Sequence, residues 1–155
     1  MRVERKKILM SSLPKKQEVI STDLTNTSTI KFTINVTPKT KKNSQQIVIV
    51  HNRPIIIPSK YYKQYEKDCA VFLPKFDKPI NYPINLKCIF YMERRYKVDL
   101  SNLEEAICDI LVHYGVLADD NRNIVATMDG SKVLWDKENP RTEIEITKLP
   151  DYKQW

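Results

Sequence analysis

Three carboxylates bracket the most informative stretch of the chain, residues 98–120, VDLSNLEEAICDILVHYGVLADD: Asp99 near its start, Asp119 and Asp120 at its end. Clustered aspartates offer hard oxygen ligands of the kind that Mg²⁺ takes. An ion held that way activates a water molecule and relieves charge on a leaving oxygen, the two things phosphodiester hydrolysis needs. The competing reading makes Asp119-Asp120-Asn121 a polar turn and leaves Asp99 near a helix N-terminus, where the dipole favours a negative charge. Asn102, Glu105 and Asp109 fall at i, i+3 and i+7 and form a second polar stripe. A solvated helix face explains that stripe too. Yet Glu104, Glu105 and Asp109 have no cation on the helix at a suitable spacing, and a bound cation would relieve their mutual repulsion.

The element that must position these groups is a helix. Leu103, Ala106, Ile107, Ile110, Leu111 and Tyr114 recur at the spacing of one buried face. Ser101 followed by Glu104 reads as a capping box, so the helix is expected to start at Ser101, and Gly115 is the left-handed residue expected to end it. A helix of about 14 residues spans roughly 20 Å. Val116 and Leu117 must therefore lead the chain back if the two acidic ends are to share a site.

Basic residues gather on the segments around this helix. Lys39, Lys41 and Lys42 lie in one loop, Arg53, Lys60 and Lys63 follow, and Arg94, Arg95 and Lys97 come just before Asp99. Residues 1–98 hold 20 Lys/Arg against 7 Asp/Glu, and residues 99–155 hold 6 against 12. A basic surface around an acidic pocket suits a polyanion, although a basic balance alone is common. Tyr61, Tyr62, Tyr65 and Tyr96 lie among the cations and could stack on unpaired bases, with Tyr62 and Tyr65 better placed for the core. Lys132, after the turn at Asp129-Gly130-Ser131, is a candidate to point back toward the carboxylates.

Several classes are disfavoured. Two glycines, Gly115 and Gly130, leave no Gly-rich phosphate loop, so no nucleotide cofactor is expected. Two histidines are too few for a His-rich metal site. Three cysteines form no CxxC and cannot all pair, which suits a reducing, cytoplasmic compartment. No apolar run approaches the roughly 20 residues of a membrane span, and Ile8–Met10 is too short for a secretory signal.

At 155 residues the chain is expected to form one domain. Residues 1–28 are polar and read as a loosely ordered arm. Residues 30–37 alternate as a strand, and IVIVHNRPIII reads as a hairpin around His51-Asn52-Arg53-Pro54. A helix from Ser59 ends before Pro74, and residues 84–92, INLKCIFYM, form a strong strand. Residues 124–136 and 141–149 give two further strands joined at KENP. This order predicts an α+β fold of two layers, helices packed on one mixed sheet.

The residues quoted so far resemble the RusA family of Holliday junction resolvases, especially its phage and prophage members. The likeness rests on Asp99-Leu100, Asn102-Leu103, Asp109 with Leu111, Asp119-Asp120 and Lys132, with Lys41-Lys42-Asn43-Ser44 and Pro58-Ser59-Lys60 upstream. It covers residues 30–147, making 29–155 the nuclease domain. The resemblance implies a homodimeric, Mg²⁺-dependent endonuclease, with Mn²⁺ as the alternative ion, that nicks four-way or branched DNA in symmetric pairs inside a bacterial host. It implies no membrane partner. It makes Asp99, Asp119 and Asp120 catalytic, with Asp99 and Asp120 as metal ligands. Ser101, Asn102, Asp109 and Lys132 support them. Lys41, Lys42, Asn43, Lys60, Arg94 and Arg95 are the expected DNA contacts. Better-known members carry an aspartate where this chain has Ser101 and a lysine where it has Glu105. Glu105, one turn on from Ser101, is the residue expected to restore the missing carboxylate; the alternative is a protein that binds junctions without cutting them well.

Overall fold

A computed structural model describes residues 29–42 and 45–152, together with the backbone of Val19 and Ile20. The expectation for residues 1–28 falls almost wholly outside this range, as does Asn43.

The middle of the fold is β6 (Ile84–Met92), whose residues alternate strictly between buried and half-buried. Ile84, Leu86, Cys88, Phe90 and Met92 face the helices, as the period of two requires. On one side β6 pairs antiparallel with β9 (Arg141–Lys148), and β9 pairs antiparallel with β2 (Thr29–Ile34). On its other side two short strands run parallel to it: β7 (Val125–Thr127) at its start and β8 (Lys132–Trp135) at its end. The result is one five-stranded mixed sheet. Both helices, α1 (Lys60–Ala70) and α2 (Leu100–His113), bury their apolar faces in the same core as the strands. The two-layer α+β expectation holds.

The single strand expected over residues 124–136 is broken in two. Gly130 adopts a φ of +86°, and a Cβ there would stand 3.2 Å from the Lys87 side chain. Around the break, side chains complete the edge of β6. Asn85 Oδ1 accepts from Thr127 Oγ1 and from the Asp129 N–H, and Ser131 Oγ accepts from the Cys88 N–H at 3.0 Å.

Two smaller pairs lie off this sheet. Val19–Ile20 (β1) runs parallel to Lys75–Phe76 (β5). β3 (Gln45–Val50) and β4 (Arg53–Pro58) form a hairpin. Its turn is narrower than expected: His51 and Asn52, at φ 49° and 58°, make a two-residue connection of the left-handed kind that matches strand twist.

α1 starts where the sequence indicated. Ser59 Oγ accepts from the Tyr62 N–H at 3.1 Å, and Tyr62, Tyr65 and Cys69 form the buried face. α2 buries Leu103, Ala106, Ile107, Cys108, Ile110 and Leu111, so truncating Ile107 to alanine would cost about 2–5 kcal/mol. Its start differs from the expected one. Asp99 is the N-cap, with an extended φ of −79° and ψ of 127°, and its carbonyl accepts from Asn102 and Leu103. The capping box at Ser101 does not form, because Ser101 already lies inside the helix. Its end is as expected: Gly115 takes a φ of +72°, and the N–H groups of Val116 and Leu117 return to the Leu111 carbonyl.

Candidate active site

The return segment is fixed by the backbone. Ile80 N–H donates to the Val116 carbonyl at 3.0 Å, and Ala118 N–H donates to the Ile80 carbonyl at 2.9 Å. Val116 and Leu117 are buried between these bonds, which leaves Asp119 and Asp120 exposed at the surface.

The two aspartates then part company. Asp119 Oδ1 accepts from the N–H groups of Asp120 and Asn121, and Oδ2 accepts from Asn121 Nδ2 at 2.7 Å. That is a side-chain-closed turn. Hydrogen bonding to Asn121 above all holds its carboxyl below the usual range. Asp120, whose carboxyl also hydrogen-bonds to Asp119, is the member of the pair that faces the seam. Burial, then its neighbours Asp119 and Asp109, push it upward. It lines a cavity of about 320 Å³ with Lys41, Glu66, Asp109, Val112 and His113.

Asp99 stands at the other end of α2, where Asn102 Nδ2 donates to its Oδ2 at 3.2 Å. Since a helix rises about 1.5 Å per residue, Asp109 lies about 15 Å further along. The chain thus brings Asp120 back to the level of Asp109. A polar seam runs along α2 from Asp99 through Asn102, Glu105 and Asp109 to Asp120.

Over this seam lies the basic loop. Lys41 Nζ meets Asp109 Oδ2 at 2.6 Å, and Lys42 Nζ meets Glu105 Oε2 at 2.6 Å. The Asp109 bond raises the Lys41 pKa. The charge relief expected from a bound cation is therefore supplied by two loop lysines, and Glu105 is turned to Lys42. The loop is itself held from below, because the buried Tyr65 hydroxyl hydrogen-bonds to the Lys39 backbone. Glu104, by contrast, is directed to the sheet. Burial raises its carboxyl, and a hydrogen bond with Ser131 acts against that rise.

Of the other expected site residues, Ser101, Lys60, Arg94 and Arg95 are exposed. Arg95 lies over the Trp135 ring, 4.0 Å from its centroid. Lys132 does not point back toward the carboxylates. It is the register partner of Ile89, whose side chain faces away from the helices, while the next pair, Val133 and Phe90, faces them. Glu66 is the residue that sequence reasoning passed over. It sits four residues after Tyr62, and only the crossing of α1 and α2 carries it to Asp109 and Asp120.

The carboxylate oxygens of Glu66, Asp109 and Asp120 fit a hard divalent ion in kind. Among the described residues, no group of three or more His, Cys, Asp or Glu side chains closes on one point as a ligand set.

The site is thus a carboxylate seam under a lysine loop, set on a two-layer α+β fold. The chain is a member of the RusA family: the profile of "Endodeoxyribonuclease RusA" matches residues 34–147. That assignment carries a resolvase-type nuclease role at the level of the family. No curated protein matches the chain. Among the described residues, no helix is long and apolar enough to cross a membrane.

Proposed function

We propose that the protein is a divalent-metal-dependent endodeoxyribonuclease that resolves Holliday junctions and other branched DNA by paired symmetric nicks, acting as a homodimer in the cytoplasm of a bacterial host. The observation that carries this reading is the pairing of Lys41 and Lys42 with Asp109 and Glu105. In the free protein each lysine neutralises a carboxylate. A DNA phosphate draws those lysines away, since loop lysines are the usual phosphate contacts. The seam is then left negative, and a dication fits it better in the presence of substrate than in its absence.

Asp99, about 15 Å from Asp109 along α2, is too far away to ligate the same ion as Asp120 and stands at the other end of the seam. Asp120 would hold the ion, with Asp109 and Glu66 beside it. Bound there, it supplies an activated water and charge relief at the leaving oxygen. Asp119 folds the turn that presents Asp120, and Asn102 orients Asp99. Arg94, Arg95 and Lys60 add backbone contacts around them.

The homodimer is supported by the β3–β4 hairpin. Ile47, Ile49 and Ile56 are 72%, 75% and 63% exposed, with Val50 and Ile55 less so. A lone two-stranded hairpin is marginal in water, and contiguous apolar surface of this kind marks an interface. Ile47 pairs directly with Ile56, and Ile49 lies two residues on from Ile47, so these three share one face of the hairpin.

A second reading is a junction-binding protein without turnover, favoured by Ser101 in a position where better-known members carry aspartate and by the engagement of Glu105 with Lys42. Incubating the protein with a labelled four-way junction and a linear duplex, with and without Mg²⁺, separates the two. Mg²⁺-dependent cutting of the junction supports the nuclease; a mobility shift without cutting supports the binder.

A further inference from the structure

Between the basic loop and the start of α2 lies a cleft of about 200 Å³ that the polar seam does not use. Pro38, Met92, Val98 and Leu103 give it an apolar floor, with Thr40 in the wall, Tyr96 at one side and Lys39 at the rim. Tyr96 is 52% exposed. The segment that carries it is anchored one residue earlier, where Arg95 rests on the Trp135 ring at 4.0 Å. Trp135 is in turn the register partner of Met92, whose side chain helps form the cleft. One residue beyond Val98 stands Asp99.

We propose that this cleft takes one unpaired nucleobase from the branch point of the DNA. The inference rests on the nuclease reading above and deepens it. A flat aromatic group is what a largely apolar slot with a half-exposed tyrosine beside it accommodates, and base stacking on an aromatic side chain is tolerant of sequence. The surroundings select a nucleic-acid base over another apolar group. Lys39, Arg94, Lys97 and Lys42 surround the mouth or lie on its two flanking segments, and each can meet a phosphate on either side of the inserted nucleotide. A branched junction supplies such a base at low cost, because bases at the crossover are already partly unstacked; a linear duplex must first unpair one. A base held beside Val98 sets its adjoining phosphate next to Asp99, so the cleft would fix which bond reaches the seam.

The test is a scan of four-way junctions, each with a single abasic position near the crossover, with binding measured in metal-free buffer so that cutting does not intervene. One abasic position should weaken binding by roughly 5- to 150-fold, the range that one stacked base supplies. Tyr96→Ala should bind the intact junction as weakly as the wild type binds that abasic one, and should no longer distinguish the two. Tyr96→Phe should behave as wild type, and so should Tyr114→Ala, which removes an exposed ring elsewhere. Equal binding of every abasic junction by the wild type overturns the proposal, as does undiminished discrimination by Tyr96→Ala. A protein that binds no junction at all removes the nuclease reading itself, an outcome distinct from either.

Discussion

Asp119 accepts three hydrogen bonds within its own turn, while Asp120, the next residue, faces a cavity that already holds Asp109 and Glu66. Their titrations therefore act on stability with opposite signs. Asp119 has a depressed pKa: its contribution is present above the ordinary carboxylate range and is lost as pH falls through the depressed value. Asp120 has a raised pKa: its contribution is present at low pH and is lost as pH rises through the raised value. Asp120→Asn should accordingly keep or raise the melting temperature at neutral pH while abolishing cutting and sparing junction binding. Asp119→Ala should lower the melting temperature at neutral pH and flatten the loss of stability on acidification. Melts followed by circular dichroism across about pH 2–7, with cutting assays beside them, check both. An Asp120→Asn protein that melts early or still cuts would reverse the assignment. The sequence made both aspartates candidates and also offered the turn. It could not divide those roles between them, because the division depends on Glu66 and Asp109 arriving from two different helices.

At the scale of elements, the loop that carries Lys41 and Lys42 supplies a counter-charge for α2. Removing both lysines by Lys41→Ala and Lys42→Ala should weaken binding to all DNA and reduce its salt dependence by about one log–log unit for each phosphate that the loop no longer neutralises. Glu105→Gln separates the two views of Glu105. It releases Lys42, so binding should tighten or hold. If Glu105 also ligates the ion, half-maximal cutting will need more Mg²⁺. Glu104→Gln, a change beside Ser131 in the sheet, should leave that requirement unaltered. Equal Mg²⁺ dependence in wild type and Glu105→Gln would leave Glu105 as the partner of Lys42 alone. The apolar period of α2 and its end at Gly115 were legible because both are local. Its start was not: Ser101 and Glu104 have the right spacing for a capping box, but Asp99 caps first, and Glu104 is drawn away by Ser131 from another part of the chain. The lysine partners of the acidic stripe were hidden for the same reason. They lie more than sixty positions upstream, and only the fold joins them.

At the scale of the molecule, strand content and the two-layer class followed from alternation and period. The order of the strands did not, since nothing in residues 124–136 announces that both halves join β6 in parallel. The hairpin was legible as a hairpin, while its separation from the main sheet was not. That separation gives a sharp expectation. Ile47→Glu with Ile56→Glu should yield a folded monomer, seen as a halved mass by sedimentation with an unchanged circular dichroism spectrum. A protein that stays dimeric would show that the copies meet elsewhere. Because symmetric nicks need two sites related by a two-fold axis, the monomer should lose paired cutting before it loses DNA binding.

The three thiols offer a use of a different sort. Cys69, Cys88 and Cys108 are all buried, and burial pushes the first and last up to about 12 and the middle one well above its usual value. At neutral pH almost none is present as thiolate, the form that reacts with alkylating reagents. The folded protein should therefore be chemically silent toward them, and its labelling rate should report how often the core opens rather than how reactive a cysteine is. Mass spectrometry of partly labelled samples would show whether the three sites react together, as one cooperative opening requires, or in turn. A cysteine introduced at exposed Ile56 would be modified alone against that quiet background, so a single dye could be placed on the hairpin without removing any native residue from the core.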